Sequence, residues 1–428
     1  MDRSTAARIA VGSAWVGLAT ALLLVRQAGA PAVDTMWAED GEVFLSGALR
    51  RGTLVPLFSP YAGYINAVPR LAAGLVSVFP LRLAAMLLAA GSAAVVGCLS
   101  LYVYVASRGL LTFRGARVLL AAMVVLLPAL AWESMNNATN LQWSLILPCF
   151  VALAVVPRSR AETIAAAGVV LLAALTAPTT LLMVPLAAVR LARRTSRRLS
   201  LVTGAFLAGA IPQITAALVA NFDPFRAPTD PLDLPGLYGF RVAGSLLAGE
   251  WVLPSAWRNV GPAFGYGMLV VAAGLVALAM LRRPDRRLPI ALAAGSSAAF
   301  YGFPVFVRGT SLVTPVGETI DLAVGSKWVI TPILLLALAL FMGFEPRRPD
   351  AGGWPRSSAV VAVVLALVIG LALAIGFRVE NARSGGPRWS AGFVAAVGRC
   401  RGRASDVRIP ISPAPGWEVD VPCRRLRG

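Results

Sequence analysis

Long apolar runs recur along the whole chain and alternate with short polar stretches. A helix of about 20 apolar residues crosses the hydrocarbon core of a bilayer, whereas a membrane β-barrel shows short segments of alternating polarity. The pattern therefore predicts an all-α, polytopic transmembrane protein with about eleven spans. We place these spans at residues 9–26, 81–105, 118–131, 143–156, 162–176, 180–190, 200–220, 263–281, 288–305, 326–347 and 358–377.

Two consecutive spans, 162–176 and 180–190, are unusually short and meet at Ala177-Pro178. They fall below the length of about 17 residues that a helix usually needs to cross. We expect them to thin the membrane locally or to flank a cavity that opens to the outer side.

Arginine is distributed very unevenly between the polar stretches. The chain carries 39 Lys and Arg against 20 acids, with a net charge of +19. Clusters such as Arg114 and Arg117, or Arg190 to Arg198, fall between every second pair of spans, while most acids fall on the other side. This asymmetry predicts a plasma-membrane protein with a cytoplasmic N-terminus. The arginines do not form the single patch with interleaved aromatics that is typical of nucleic-acid binding.

The same asymmetry divides the chain into two parts. We expect a transmembrane catalytic domain at residues 1–377 and a short extracytoplasmic C-terminal tail at residues 378–428. The stretch richest in functional groups is the first outer loop, VDTMWAEDGEVFLSGALRRGTLVPLFSPYAGYINAVPR, residues 33–70. Its spacing predicts a short helix over 39–49, breaks at Pro56, Pro60 and Gly63, and an amphipathic helix around 65–79.

Carboxylates this close to a membrane are costly unless they line a wet cavity, so Glu39 and Asp40 are candidate catalytic residues. A second polar loop, Trp132 to Trp143, is rich in amides. Its alternative interpretation is an interfacial aromatic belt with a capped helix start. The candidate substrate-binding residues are Trp37, Tyr61, Tyr64, Glu133, Asn140 and Gln142, and the candidate phosphate-binding cations are Arg70, Arg308 and Lys327.

A carboxylate with convergent cations suits a reaction in which a hydroxyl loses its proton and a phosphate-linked leaving group is stabilised. The alternative is that these residues are interfacial ion pairs. The chain has no His, so we assign no metal ligands. A divalent cation, Mg²⁺ or Mn²⁺, would have to bind carboxylates alone. Cys400 and Cys423 lie in the polar tail and can pair in an oxidising compartment.

The order of these features resembles the GT-C class of integral-membrane glycosyltransferases. The similarity lies in WAEDGEVFL, PYAGYINAVPR, NATNLQW and the SKW at the start of the span from Ser326. It implies an inverting transfer of a sugar from a polyprenyl-phosphate donor to a cell-envelope glycan or glycolipid, with a first-loop carboxylate as general base. We carry that role to Asp40, with Glu39 as the alternative.

The chain departs from that class at Lys327-Trp328, where many members have Arg-Tyr. A lysine keeps the positive charge but lacks the bidentate fork of arginine. Two other functions remain open: a lipid or glycan flippase, and a non-catalytic envelope assembly protein. Ion-coupled transporters usually carry ionisable groups near mid-membrane and related halves, and neither feature is visible in the sequence.

Overall fold

The computed structural model describes residues 3–53, 59–193, 196–219, 227–314, 320–346, 356–401 and 406–426. Two predicted features lie outside these residues: the break at Pro56, and Arg194 of the cluster from Arg190 to Arg198. The helices of the first half are α1 (Arg3–Arg26), α2 (Ser46–Arg51), α3 (Ala67–Val76), α4 (Ala84–Ala106), α5 (Arg114–Leu126), α6 (Pro128–Glu133), α7 (Leu141–Ala154), α8 (Arg160–Thr176) and α9 (Val184–Arg193).

The second half continues the helical bundle and ends in a small hairpin. Its elements are α10 (Arg197–Val219), α11 (Asp233–Tyr238), α12 (Ser245–Leu247), α13 (Leu253–Val260), α14 (Pro262–Arg282), α15 (Arg287–Arg308), α16 (Ser326–Phe344), α17 (Arg356–Ile375), α18 (Trp389–Arg399), β1 (Val407–Pro410) and β2 (Glu418–Val421).

A helix occupies most of each of the eleven predicted spans. Within the described residues, seven helices are long and apolar enough to cross a membrane, and four shorter apolar helices accompany them. The predicted span at 118–131 is interrupted, because α5 ends at Leu126 and α6 begins at Pro128. A proline fits the first turn of a helix but cannot donate within one, so the chain restarts here. The helix α8 ends at Thr176, next to the predicted hinge.

The helix α16 lies at the centre of the bundle. All of its 19 residues are buried except Lys327. A helix at the edge of a bundle would instead expose one face to lipid. It packs against α5, α6, α7, α14 and α15. The bundle is thus organised around a helix whose only partly exposed side chain is a cation.

The predicted helix over 39–49 contains a π-helical turn. Residues Asp40–Leu45 form the turn, and α2 continues from Ser46. Such wide turns are rare and concentrate at functional sites. The segment that follows reverses at Ala62 and Gly63, both with positive φ, and Tyr61 and Tyr64 exchange two backbone hydrogen bonds across it.

The C-terminal residues pack back onto this first loop. The strands β1 and β2 form an antiparallel hairpin, which the prediction of an all-α chain did not include. The Ala38 amide donates to Ser412 O at 2.7 Å, and the Ser412 amide donates to Met36 O at 3.0 Å. A disulfide joins Cys400 to Cys423, whose Cα atoms are 5.5 Å apart. The tail is therefore hydrogen-bonded through its backbone to the first outer loop, which carries the candidate site.

The arginine-rich loops meet at one end of the bundle, which we call the basic end. Arg108 pairs with Glu162, and Arg198 donates to the carbonyl of Arg158. Glu345, at the end of α16, accepts from the amides of Thr112 and Phe113 and pairs with Arg286. The loops that carry the candidate site residues meet at the opposite end, which we call the site end.

Candidate functional site

The two adjacent carboxylates of the first loop lie in different surroundings. Asp40 is 2% exposed and accepts three hydrogen bonds: Oδ2 from the Ala138 amide at 2.8 Å, and Oδ1 from the Thr139 amide at 2.8 Å and the Thr139 hydroxyl at 2.5 Å. Burial raises the pKa of Asp40, whereas these donors and the charge of Arg383 act in the opposite direction. Asp40 thus fastens the first loop to the amide-rich loop.

Glu39 has no comparable set of partners. The residue as a whole is partly exposed, but its Oε2 atom is buried and has no hydrogen-bond partner among the described residues. Burial is the main cause that raises the pKa of Glu39, the neighbouring Asp40 raises it further, and Lys327 lowers it. A carboxyl group with a raised pKa and an oxygen that lacks a hydrogen-bond partner is suited to accept a proton from a hydroxyl that reaches it.

Lys327 connects Glu39 to the second loop. Its Nζ atom lies 3.3 Å from Oε2 of Glu133, and the two side chains are 33% and 25% exposed. It also acts on Glu39 electrostatically. A partly exposed ammonium group gains little from an ion pair with a partly exposed carboxylate, so it remains able to bind an incoming anion.

The two tyrosines of the reversed segment border the same cluster. Burial, followed by the charge of Glu39, raises the pKa of Tyr61 to about 12, so its hydroxyl stays protonated and can donate. Burial also raises the pKa of Tyr64, with Gln142 beside its hydroxyl and the charges of Glu39 and Arg308 nearby. The structure therefore brings Tyr61, Tyr64, Gln142 and Arg308 to the surroundings of Glu39.

Arg70 does not join this cluster. Its Nη2 atom donates to Ser59 O at 2.6 Å, and its guanidinium lies 5.3 Å from the centre of the Phe44 ring. Phe44 in turn packs edge-on against Tyr61, with ring centres 5.7 Å apart. Through the Phe44 ring, Arg70 therefore supports Tyr61, and its role as a phosphate ligand stays a prediction.

Two other predicted binding residues have supporting roles as well. Asn140 is 4% exposed and donates to the carbonyl of Glu133 at 3.0 Å, so it shapes the amide-rich loop rather than facing a ligand. The indole N–H of Trp37 is close enough to lower the pKa of Glu39 but lies outside hydrogen-bond geometry. Trp37 is 9% exposed and forms a wall of the cluster.

Sequence reasoning missed Arg383. Its fully buried guanidinium donates to the carbonyls of Ala32, Thr35, Met135 and Asn136 at 2.8–3.2 Å. It therefore joins the two loops that carry Glu39 and Glu133. Burial lowers the pKa of Arg383 to about 10, while Asp40 raises it. No signal distinguishes this residue from the other arginines of the tail.

The donor set of the cluster does not fit a divalent cation. Among the described residues, no group of three or more Cys, Asp or Glu side chains lies close enough together to hold a metal ion. Lys327 already pairs with Glu133 and acts electrostatically on Glu39. A divalent ion there would have to displace an ammonium group.

Comparisons with known proteins give a single distant likeness to report. The chain is similar to a solved structure, the single-particle cryo-EM structure of the arabinofuranosyltransferase AftD from Mycobacteria, with 15% identity and a TM-score of 0.48. The similarity covers 97% of this chain but 31% of that one, so this chain spans about a third of its length. No family model and no curated protein matches the chain. A likeness this distant decides neither activity nor substrates.

Proposed function

We propose that the chain is an inverting membrane glycosyltransferase that moves a sugar from a polyprenyl-phosphate donor to an extracytoplasmic glycan or glycolipid. The observation that carries the proposal is that Glu39, a carboxyl group with a raised pKa and a buried oxygen without a hydrogen-bond partner, interacts electrostatically with Lys327, the only partly exposed residue of α16. The two residues provide a base and a counter-charge for the same reaction.

In this mechanism Glu39 is the general base, which is the alternative that the sequence left open. It takes the proton of the acceptor hydroxyl, and that oxygen attacks the anomeric carbon from the face opposite the phosphate. The bond from the anomeric carbon to the phosphate oxygen breaks, the configuration inverts, and Lys327, with Arg308 nearby, stabilises the phosphate that leaves. Tyr61 and Tyr64 donate hydrogen bonds to sugar hydroxyls, and the acceptor proton stays on Glu39.

The site end faces outward in this proposal, because the arginine-rich loops at the basic end favour the cytoplasm. Donor and acceptor then meet on the extracytoplasmic side of the plasma membrane. The proposal assigns no step to a metal, since Lys327 already pairs with Glu133.

The test is sugar transfer from a polyprenyl-phosphate sugar in proteoliposomes. Glu39→Gln removes the base and should lower turnover by about two to four decades while donor lipid still binds. Lys327→Ala should instead weaken donor binding, because it removes a counter-charge, and a chelator should leave turnover unchanged. Glu42→Gln is the matched control, since Glu42 is exposed on the same segment. Full transfer by Glu39→Gln would refute the role of Glu39 as the base. A wild-type protein that transfers no sugar would refute the proposed glycosyltransferase activity.

A further inference from the structure

A large apolar cavity lies near the basic end, far from the candidate site along α16. Its volume is about 620 Å³, and it lies between α5, α16 and α17, which is within the usual size range of ligand pockets. Its lining includes Phe113, Leu119, Phe341, Phe344, Ala362 and Ala366. The side chain of Phe113 is 49% exposed, so the cavity opens to the surface of the bundle.

The surroundings of the cavity restrict what can fill it. The helices α5 and α16 belong to membrane-spanning segments, and α17 contains a further apolar helix. The open side therefore faces the hydrocarbon of the bilayer rather than water. An apolar cavity in that position is filled most favourably by a hydrocarbon chain, because water inside it would lose hydrogen bonds.

The mouth of the cavity at the basic end is positively charged. Arg114 is exposed between two lining residues, Phe113 and Gly115. Arg282 lies 5.7 Å from the centre of the Phe344 ring. Among the residues that the structure describes, two further arginines and two acids lie near it: Arg283, Arg286, Asp285 and Glu345. Both acids are already paired with arginine, so the excess charge at the mouth is positive.

We infer that this cavity binds an anionic phospholipid of the cytoplasmic leaflet, with one acyl chain between α5 and α17 and the phosphate at Arg114. Basic pockets between transmembrane helices on the cytoplasmic side are suited to anionic headgroups. The site is separate from the proposed reaction, since Glu39 and Lys327 lie at the opposite end of α16. It therefore binds a structural lipid rather than the sugar donor.

The experiment measures the lipids that the purified full-length protein retains in nanodiscs of phosphatidylcholine with either phosphatidylglycerol or polyprenyl phosphate. After mild delipidation, native mass spectrometry counts the bound molecules. Arg114→Gln should lower the retention of phosphatidylglycerol about fivefold, because one basic residue near the surface contributes about 1 kcal/mol to the binding of anionic lipids. Ala366→Phe should abolish retention of either phospholipid by filling the cavity.

Two variants serve as matched controls. Arg160→Gln removes the same charge from the start of α8, which does not line the cavity, and Val364→Phe adds an exposed ring on α17 at a position outside the lining. Both should retain phosphatidylglycerol like the wild type. Retention by Ala366→Phe equal to that of the wild type, equal retention of phosphatidylcholine and phosphatidylglycerol, or a preference for polyprenyl phosphate would overturn the inference.

Discussion

The two ends of the bundle use similar charged residues in opposite ways. At the basic end, the fully buried carboxylate of Glu345 receives two backbone amides, a hydroxyl and Arg286. At the site end, a buried oxygen of Glu39 has no hydrogen-bond partner among the described residues, and Lys327 pairs with Glu133 while still partly exposed. A fully bonded charge holds loops together, whereas an incompletely bonded charge can still bind or react. The difference separates the part that fixes the fold from the part suited to chemistry.

The same contrast exists within the site end. Asp40 and Arg383 are fully bonded, and Glu39 and Lys327 are not. Consecutive helical residues point about 100° apart, so one turn can place Asp40 in the protein interior and Glu39 towards the cluster. The rigid pair thereby positions the reactive pair.

The largest expected effect comes from breaking the basic-end clamp. Glu345→Ala removes the acceptor of two backbone amides and the carboxylate that pairs with Arg286, and we expect a loss of about 3–5 kcal/mol of stability. Thermal unfolding in detergent micelles measures it. Glu39→Gln provides the comparison. Burial raises the pKa of Glu39 in the folded state. Above the pKa that this group has in the unfolded chain, ionisation of Glu39 therefore lowers the stability of the folded state. The Glu39→Gln variant should for this reason be at least as stable as the wild type at neutral pH. Equal losses in both variants would contradict the distinction between the two ends.

A smaller loss is expected at Asp40. Asp40→Asn places an NH₂ group opposite an amide donor of Ala138 or Thr139, so the loop contact should weaken by about 1–3 kcal/mol. Turnover per folded molecule should stay within about tenfold of wild type, because Asp40 does not take the proton in this mechanism. Hydrogen exchange at residues 136–140 measures the loop, and unchanged exchange there would show that Asp40 does not fasten it.

Much of the fold was predictable because each apolar run has to form its own backbone hydrogen bonds in the bilayer. The contacts between the residues of the candidate site were not predictable from the sequence. The sequence places Glu39 and Asp40 side by side but does not show which one the amides of Ala138 and Thr139 hold. Arg383 lies 348 positions from Thr35 and 247 positions from Asn136 in the two loops that it joins, and Arg70 supports Tyr61 only through the position of the Phe44 ring. These roles depend on contacts between segments that are distant in the sequence.

The central claim is that Glu39, and not Asp40, takes the proton. The most direct measurement is the pH dependence of sugar transfer by the wild type, Glu39→Gln and Asp40→Asn, each corrected for the amount of folded protein. Burial raises the pKa of Glu39 above 4.5. In the wild type and in Asp40→Asn, the rate of sugar transfer should therefore increase as the pH rises through this raised pKa. Glu39→Gln should be slow at every pH and lack the increase. If Asp40→Asn loses the increase while Glu39→Gln keeps it, the two roles are reversed and the account is wrong.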